Sequence, residues 1–281
     1  MIREDENVEA PIAPAPAAGS PLEGSIHSAF RDDLLRAAAD PALTGDLALA
    51  LLKRADLPPE VLDQLSKNGN ALKLRKVKVA LVSHPHTPRH VSVPLARQFY
   101  TFDLMKVALS ASVPADVKVA VDDVLISRLA TVTIGERLTL ARRASGRVAA
   151  ALLRDLGGGA GKIIDAKISG PHTINAKTAD REPRVMEAAL ENPRLTEALV
   201  INSVLRPSAS PALVHTVARH AKWSCRREIR AALLRTEHLS LARALEFSRE
   251  IPAPRLREVL ASSRLPAKIK DQLLRQSRAS P

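Results

Sequence analysis

The sequence predicts an all-α protein, a right-handed α-solenoid of short antiparallel helix pairs broken by one irregular insertion. Three observations predict it. Apolar residues make up 46% of the chain but aromatics only 2%, so any core is made of Leu, Ala and Val in thin layers, as helical repeats are. From about Arg31 onward the text consists of amphipathic runs of roughly 9 to 15 residues, apolar at i, i+3, i+4 and i+7 and opened by Pro, Thr or Ser. The first and last thirds also read as two copies of one block, 152 residues apart.

Residues 1–30 form a Pro/Ala-rich acidic segment whose composition stiffens the backbone without offering a core pattern, and a disordered tail is expected there. Residues 31–155 carry the N-terminal half of the helical repeats. Helix starts are expected near Thr44, Pro58, Pro88, Pro114 and Thr133, because a first helical turn has no use for the N–H that Pro lacks and Thr can cap one. Residues 156–182 switch to Gly, Ile and Lys, and an insertion loop is expected. Residues 183–276 hold the C-terminal half, with starts near Thr196, Ser210, Ser240 and Pro266, and 277–281 a disordered end.

The steps from Thr44 to Pro58, Pro88 and Pro114 are 14, 30 and 26, and those from Thr196 to Ser210, Ser240 and Pro266 are the same. Aligned at this offset, Pro41 meets Pro193, Leu43 Leu195, Leu47 Leu199, Arg54 Arg206, Pro59 Pro211, Arg75 Arg227 and Arg97 Arg249. Roughly one position in five is identical, a degree usual for diverged solenoid repeats.

The run from Val79 through His84, Pro85, His86, Thr87 and Pro88 to Ala96 resembles the leucine-rich-repeat-variant unit: an apolar helix end, a short Asn-Pro-x-Thr-Pro-type turn, a second helix. Ala189 to Thr196 and Ala38 to Thr44 look like further copies. The resemblance covers most of 31–276 and is similar also to HEAT-type repeats of about 30 to 40 residues. A partner is expected to bind along the concave face of such a solenoid. No iron–sulfur cluster is carried over, since the cysteines that accompany one form of that repeat are absent.

Motifs with chemical potential are few. Gly157 to Lys162 suggests a phosphate loop, but Leu156 stands where the first glycine belongs and Ile163 replaces the metal-binding hydroxyl. His84, His86 and His90 could collect a metal, yet they span a turn with Pro85 and Pro88, and the second copy has Thr236, His238 and Ala242 there. Trp223 and the lone cysteine, Cys225, read as core or helix-start residues. Arg142 to Ser145 has the form of a basophilic phosphorylation site, a string that Arg-rich helix ends also produce by accident. No metal, cofactor or catalytic residue is expected, and the chain reads as non-enzymatic.

Net charge is +12. Residues 1–33 carry Arg3 and Arg31 against Glu4, Asp5, Glu6, Glu9, Glu23, Asp32 and Asp33, a net −5 that leaves +17 for the rest. Cations cluster at Lys73, Arg75, Lys76 and Lys78, at Arg142, Arg143 and Arg147, and at Arg226, Arg227 and Arg230. In a solenoid, charges at equivalent positions form a stripe fit for an anionic partner; alternatively they only solvate the outer face. The leading expectation is a scaffold that binds a protein partner. The alternative is a nucleic-acid-binding solenoid contacting phosphates, with near absence of aromatics arguing against base stacking. HEAT-like DNA glycosylases, which share the architecture, are a distant third because Trp223 is the only tryptophan. A single cysteine, no apolar leader and no run approaching ~18 apolar residues point to a cytoplasmic protein without a membrane span.

Overall fold

The computed structural model describes residues 21–157 and 181–279. Within them the chain is all-α, with eighteen α-helices, two short 3-10 turns and no strand. It divides into two compact units between Val91 and Ser92.

The first unit holds α1 (Pro21–Ile26), α2 (Arg31–Ala39), α3 (Gly45–Leu52), α4 (Pro59–Lys67) and α5 (Arg75–Ser83), the last preceded by a 3-10 turn at Ala71–Lys73. α1 packs on α2 and α3, α3 on α5, and α2 on α4. Alternate helices thus form two rows, and every helix buries one apolar stripe between them. α6 (Arg89–Ala96) crosses the division.

The second unit holds α7 (Thr101–Leu109), α8 (Ala115–Ser127), α9 (Ile134–Arg143), α10 (Gly146–Gly157), α11 (Arg181–Leu190), α12 (Glu197–Val204), α13 (Pro211–Arg219), α14 (Ala221–Ser224), α15 (Arg227–Leu234), α16 (Leu241–Arg249), α17 (Ala253–Ala261) and α18 (Ala267–Ala279). One row runs α8, α10, α12, α15, α17, while α9 packs on α11, α11 on α13, and α16 on α18. Some successive helices also pack as pairs, α7 with α8, α9 with α10, α15 with α16 and α17 with α18. The interior is aliphatic as composition requires; Trp223 and Phe247 are its largest fully buried side chains.

All nine expected helix starts are found: Thr44, Pro58, Pro88, Pro114, Thr133, Thr196, Ser210, Ser240 and Pro266 each immediately precede a helix. Thr44 accepts from Leu47 N–H, Ser210 from Leu213 N–H, and Thr133 forms a reciprocal capping box with Glu136. Thr196 and Ser240 make no such side-chain bond.

The duplication holds at the level of elements. α12, α13, α17 and α18 begin and end 152 residues after α3, α4, α7 and α8, residue for residue, and α15 and α16 begin 152 after α5 and α6. Two expected boundaries move. α1 lies inside the segment assigned to the tail, since Ile26 is buried and gives the short helix an apolar anchor. α18 runs to Ala279, past the expected end at 276. α10 continues through Gly157 and α11 starts at Arg181, so the Gly-rich expectation between them, Lys162 included, lies outside the described residues.

Candidate functional site

Many polar side chains that stand out in the sequence are committed to one structural task. The last carbonyls of a helix have no partner within it, and here the next repeat supplies one from roughly 30 residues downstream. Arg54 donates to Ile26 O and Ser28 O at 3.1 and 2.7 Å. The Asn68 amide donates to Ala38 O and Asp40 O at 3.0 and 2.8 Å. Arg128 donates to Phe99 O and Arg97 O, and Ser263 to Leu234 O at 2.6 Å. Each such bond contributes about 1 kcal/mol, and an orphaned buried carbonyl costs more than that.

The equivalent task is met by different chemistry in the two copies. Ala38 O is capped by Asn68; Leu190 O, 152 residues on, is capped by the Trp223 indole N–H at 2.8 Å. The buried Trp223 is therefore a core residue with a satisfied polar edge, covered by Lys222 at 4.5 Å and Arg226 at 5.1 Å from its ring centre. Cys225, by contrast, is exposed; it follows α14 and is no part of the core.

The histidines belong to the same ladder. His84 is buried, its Nε2 lies 2.7 Å from Arg54 O, and its Nδ1 accepts from His86 N–H. His86 Nδ1 is 3.0 Å from Leu57 O, and His90 Nε2 is 3.0 Å from Asp63. Because its Nδ1 is an acceptor, His84 is neutral and donates through Nε2. Burial, the largest influence, pushes its pKa below the usual 6.5. Among the described residues no group of three His, Cys, Asp or Glu side chains is placed to hold a metal, and no helix is long and apolar enough to cross a membrane.

The ten basic candidates fall into three groups. Arg147 is paired with Asp123 at 2.8 Å and donates to Val119 O; Arg226 is paired with Glu197 at 2.8 Å; Arg230 is paired with Glu250 and lies over the Phe247 ring at 5.4 Å. These three serve packing between neighbouring helices. Arg75 and Lys78 stand in the first turn of α5 and are engaged in further interactions. Lys73, Lys76, Arg142, Arg143 and Arg227 are exposed and have no ion-pair partner among the described residues.

A second surface feature was not singled out by sequence reasoning. Phe30, Leu74 and Tyr100 occupy the N-cap positions of α2, α5 and α7 without any side-chain cap bond, at 73, 46 and 68% exposure. Phe102, one residue into α7, is also exposed. Three of the chain's six aromatics thus face solvent, and two of them hold positions where Ser, Thr, Asp or Asn would stabilise the helix by about 1 kcal/mol. The signal for them was available in the rarity of aromatics, had their positions been set against the helix starts.

No protein-family model matches the chain, and no curated protein or solved structure matches it either.

Proposed function

We propose that this chain is a non-enzymatic α-helical repeat scaffold that binds a protein partner, with Phe30 and Leu74 as apolar anchors on the first unit and Tyr100 and Phe102 as separate anchors on the second. The HEAT-like or leucine-rich-repeat-variant class, its right-handed winding, the concave binding face and a cytoplasmic setting belong to this proposal. The observation that carries it is the placement of exposed large apolar groups at N-caps, where they forgo a cap: Phe30 and Tyr100 stay mostly exposed, and Leu74, packed in part against Gly45, is still 46% exposed. Large rigid apolar side chains of this kind are what protein interfaces use as anchors.

The test exploits the same positions. Phe30→Ser and Tyr100→Ser each install a good N-cap, so helicity and thermal stability are expected to hold or rise. Capture of a defined partner from native lysate is expected to fall with both variants while surviving nuclease. If the captured protein is the same for wild type and double variant, or disappears with nuclease, the reading fails.

A second reading is favoured by the exposed cations. The first turn of α5 holds Arg75, Lys76 and Lys78 and no acid, an arrangement that opposes the helix dipole and suits a phosphate backbone. Under it, Lys73, Lys76, Arg142, Arg143 and Arg227 changed together to Gln abolish retention on duplex DNA at low salt, and the wild-type protein shows steep salt dependence.

A further inference from the structure

In the first copy the guanidinium after α3 is fully employed. Arg54 donates to Ile26 O and Ser28 O and forms a two-point pair with Asp56, at 3.1 Å through Nε and 2.8 Å through Nη2. The residue 152 positions later is again arginine, Arg206, but the position of Asp56 is taken by Ser208. The second copy thus keeps the cation and loses its carboxylate. Arg206 is exposed and has no ion-pair partner among the described residues.

A second cation lies beside it. Arg154, on α10, is half-buried, and no carboxylate among the described residues pairs with it. Desolvation first, then the charges of Arg206 and Arg147, lower its pKa; the site favours an added negative charge. The adjoining acid does not supply it: Asp155 lies 3.3 Å from Arg137, which also donates to Leu129 O at 2.9 Å. Arg147 has its own partner in Asp123.

Both arginines line one open cleft of about 410 Å³, with Ser208 at its side and Ile126 and Ala151 on its walls; Asp155 also lines it, its carboxylate held by Arg137. Two guanidinium groups lining a space of this size match a dianionic tetrahedral group better than a single carboxylate. The apolar walls favour an ester over a fully hydrated free ion.

We propose that this cleft binds a phosphoryl group, held by Arg154 and Arg206 with the Ser208 hydroxyl as a further donor. Its source is either a phosphorylated side chain of a protein partner or a small phosphate ester; the chemistry at the cleft is the same. The proposal stands independently of the scaffold reading, because the probe is a small anion and needs no partner.

Calorimetric titration of the full chain with inorganic phosphate tests it. Binding at one site is expected for wild type and for the remote control Arg36→Gln, and a weakening of about tenfold or more for Arg154→Gln and for Arg206→Gln. Ser208→Asp rebuilds the ion pair of the first copy, so it is expected to leave helicity unchanged and abolish phosphate binding. A phosphoserine peptide that binds about tenfold tighter than inorganic phosphate assigns the source to a partner, and equal affinity assigns it to a small ester. The proposal is overturned if phosphate gives no heat up to about 10 mM, if Ser208→Asp binds like wild type, or if an unphosphorylated peptide binds as well as its phosphorylated form.

Discussion

A carbonyl at the end of a helix asks only for a donor at a given place, and this chain answers with whatever residue reaches. Asn68, Arg54, His84, Trp223 and Ser263 all serve that purpose. The choice matters where the donor titrates. His84 is buried and neutral, with burial outweighing the favourable Arg54 carbonyl, and burial likewise lowers the pKa of His220. Above pH 6.5 both imidazoles are neutral whether the chain is folded or not, and their contribution is fully present. Below it the unfolded chain takes up protons first, so stability falls as pH drops from 6.5 toward the lower folded values and levels off beneath them. Urea denaturation across this window is expected to show that slope, reduced in His84→Gln; an unchanged slope in the variant refutes the assignment to His84.

Helices in this chain are short, and what fixes each one is its start and its packing on the next repeat. Gly146 opens α10 so close to the α11–α12 turn that an added Cβ would come within 2.1 Å of Arg194 O and 3.2 Å of a Leu199 methyl. Gly146→Ala is therefore expected to destabilise by about 1 to 3 kcal/mol. Gly135→Ala in α9, with nothing within 4 Å, should be neutral or stabilising. Equal denaturation midpoints for the two variants would contradict the close approach. Starts marked by Pro, Thr or Ser were legible in the sequence because those residues act within a single turn. The starts of α2, α5, α7 and α15 were not, since Phe30, Leu74, Tyr100 and Arg226 carry no capping signal and their helices are held by packing instead. The candidate site divided likewise: the exposed charge of Lys76 or Arg142 could be read from composition, whereas the engagement of Arg230 with Glu250 and Phe247 depends on a helix beginning eleven residues further on.

At the scale of the second unit, a group of ties among the described residues spans about 20 residues more than the usual 30. Asn192 donates to Ala141 O and Ala144 O at 2.8 and 3.1 Å, and Arg194 to Arg143 O, across 51 and 48 residues instead of the usual 30 or so. The tie resembles that of Asn68 with about 20 residues added, somewhat fewer than the 27 assigned from composition. α11 meets α9 and α10 as neighbouring repeats do elsewhere, and energetic coupling in such arrays runs chiefly between neighbours. The described helices on either side of 158–180 thus meet along a noncovalent seam. Fragments 1–157 and 181–281, co-expressed as separate polypeptides, should copurify as a one-to-one helical heterodimer; independent elution would show that the seam needs the peptide link. In practical terms, fragments that copurify would make the protein a split tag, whose halves report on the proximity of whatever they are fused to.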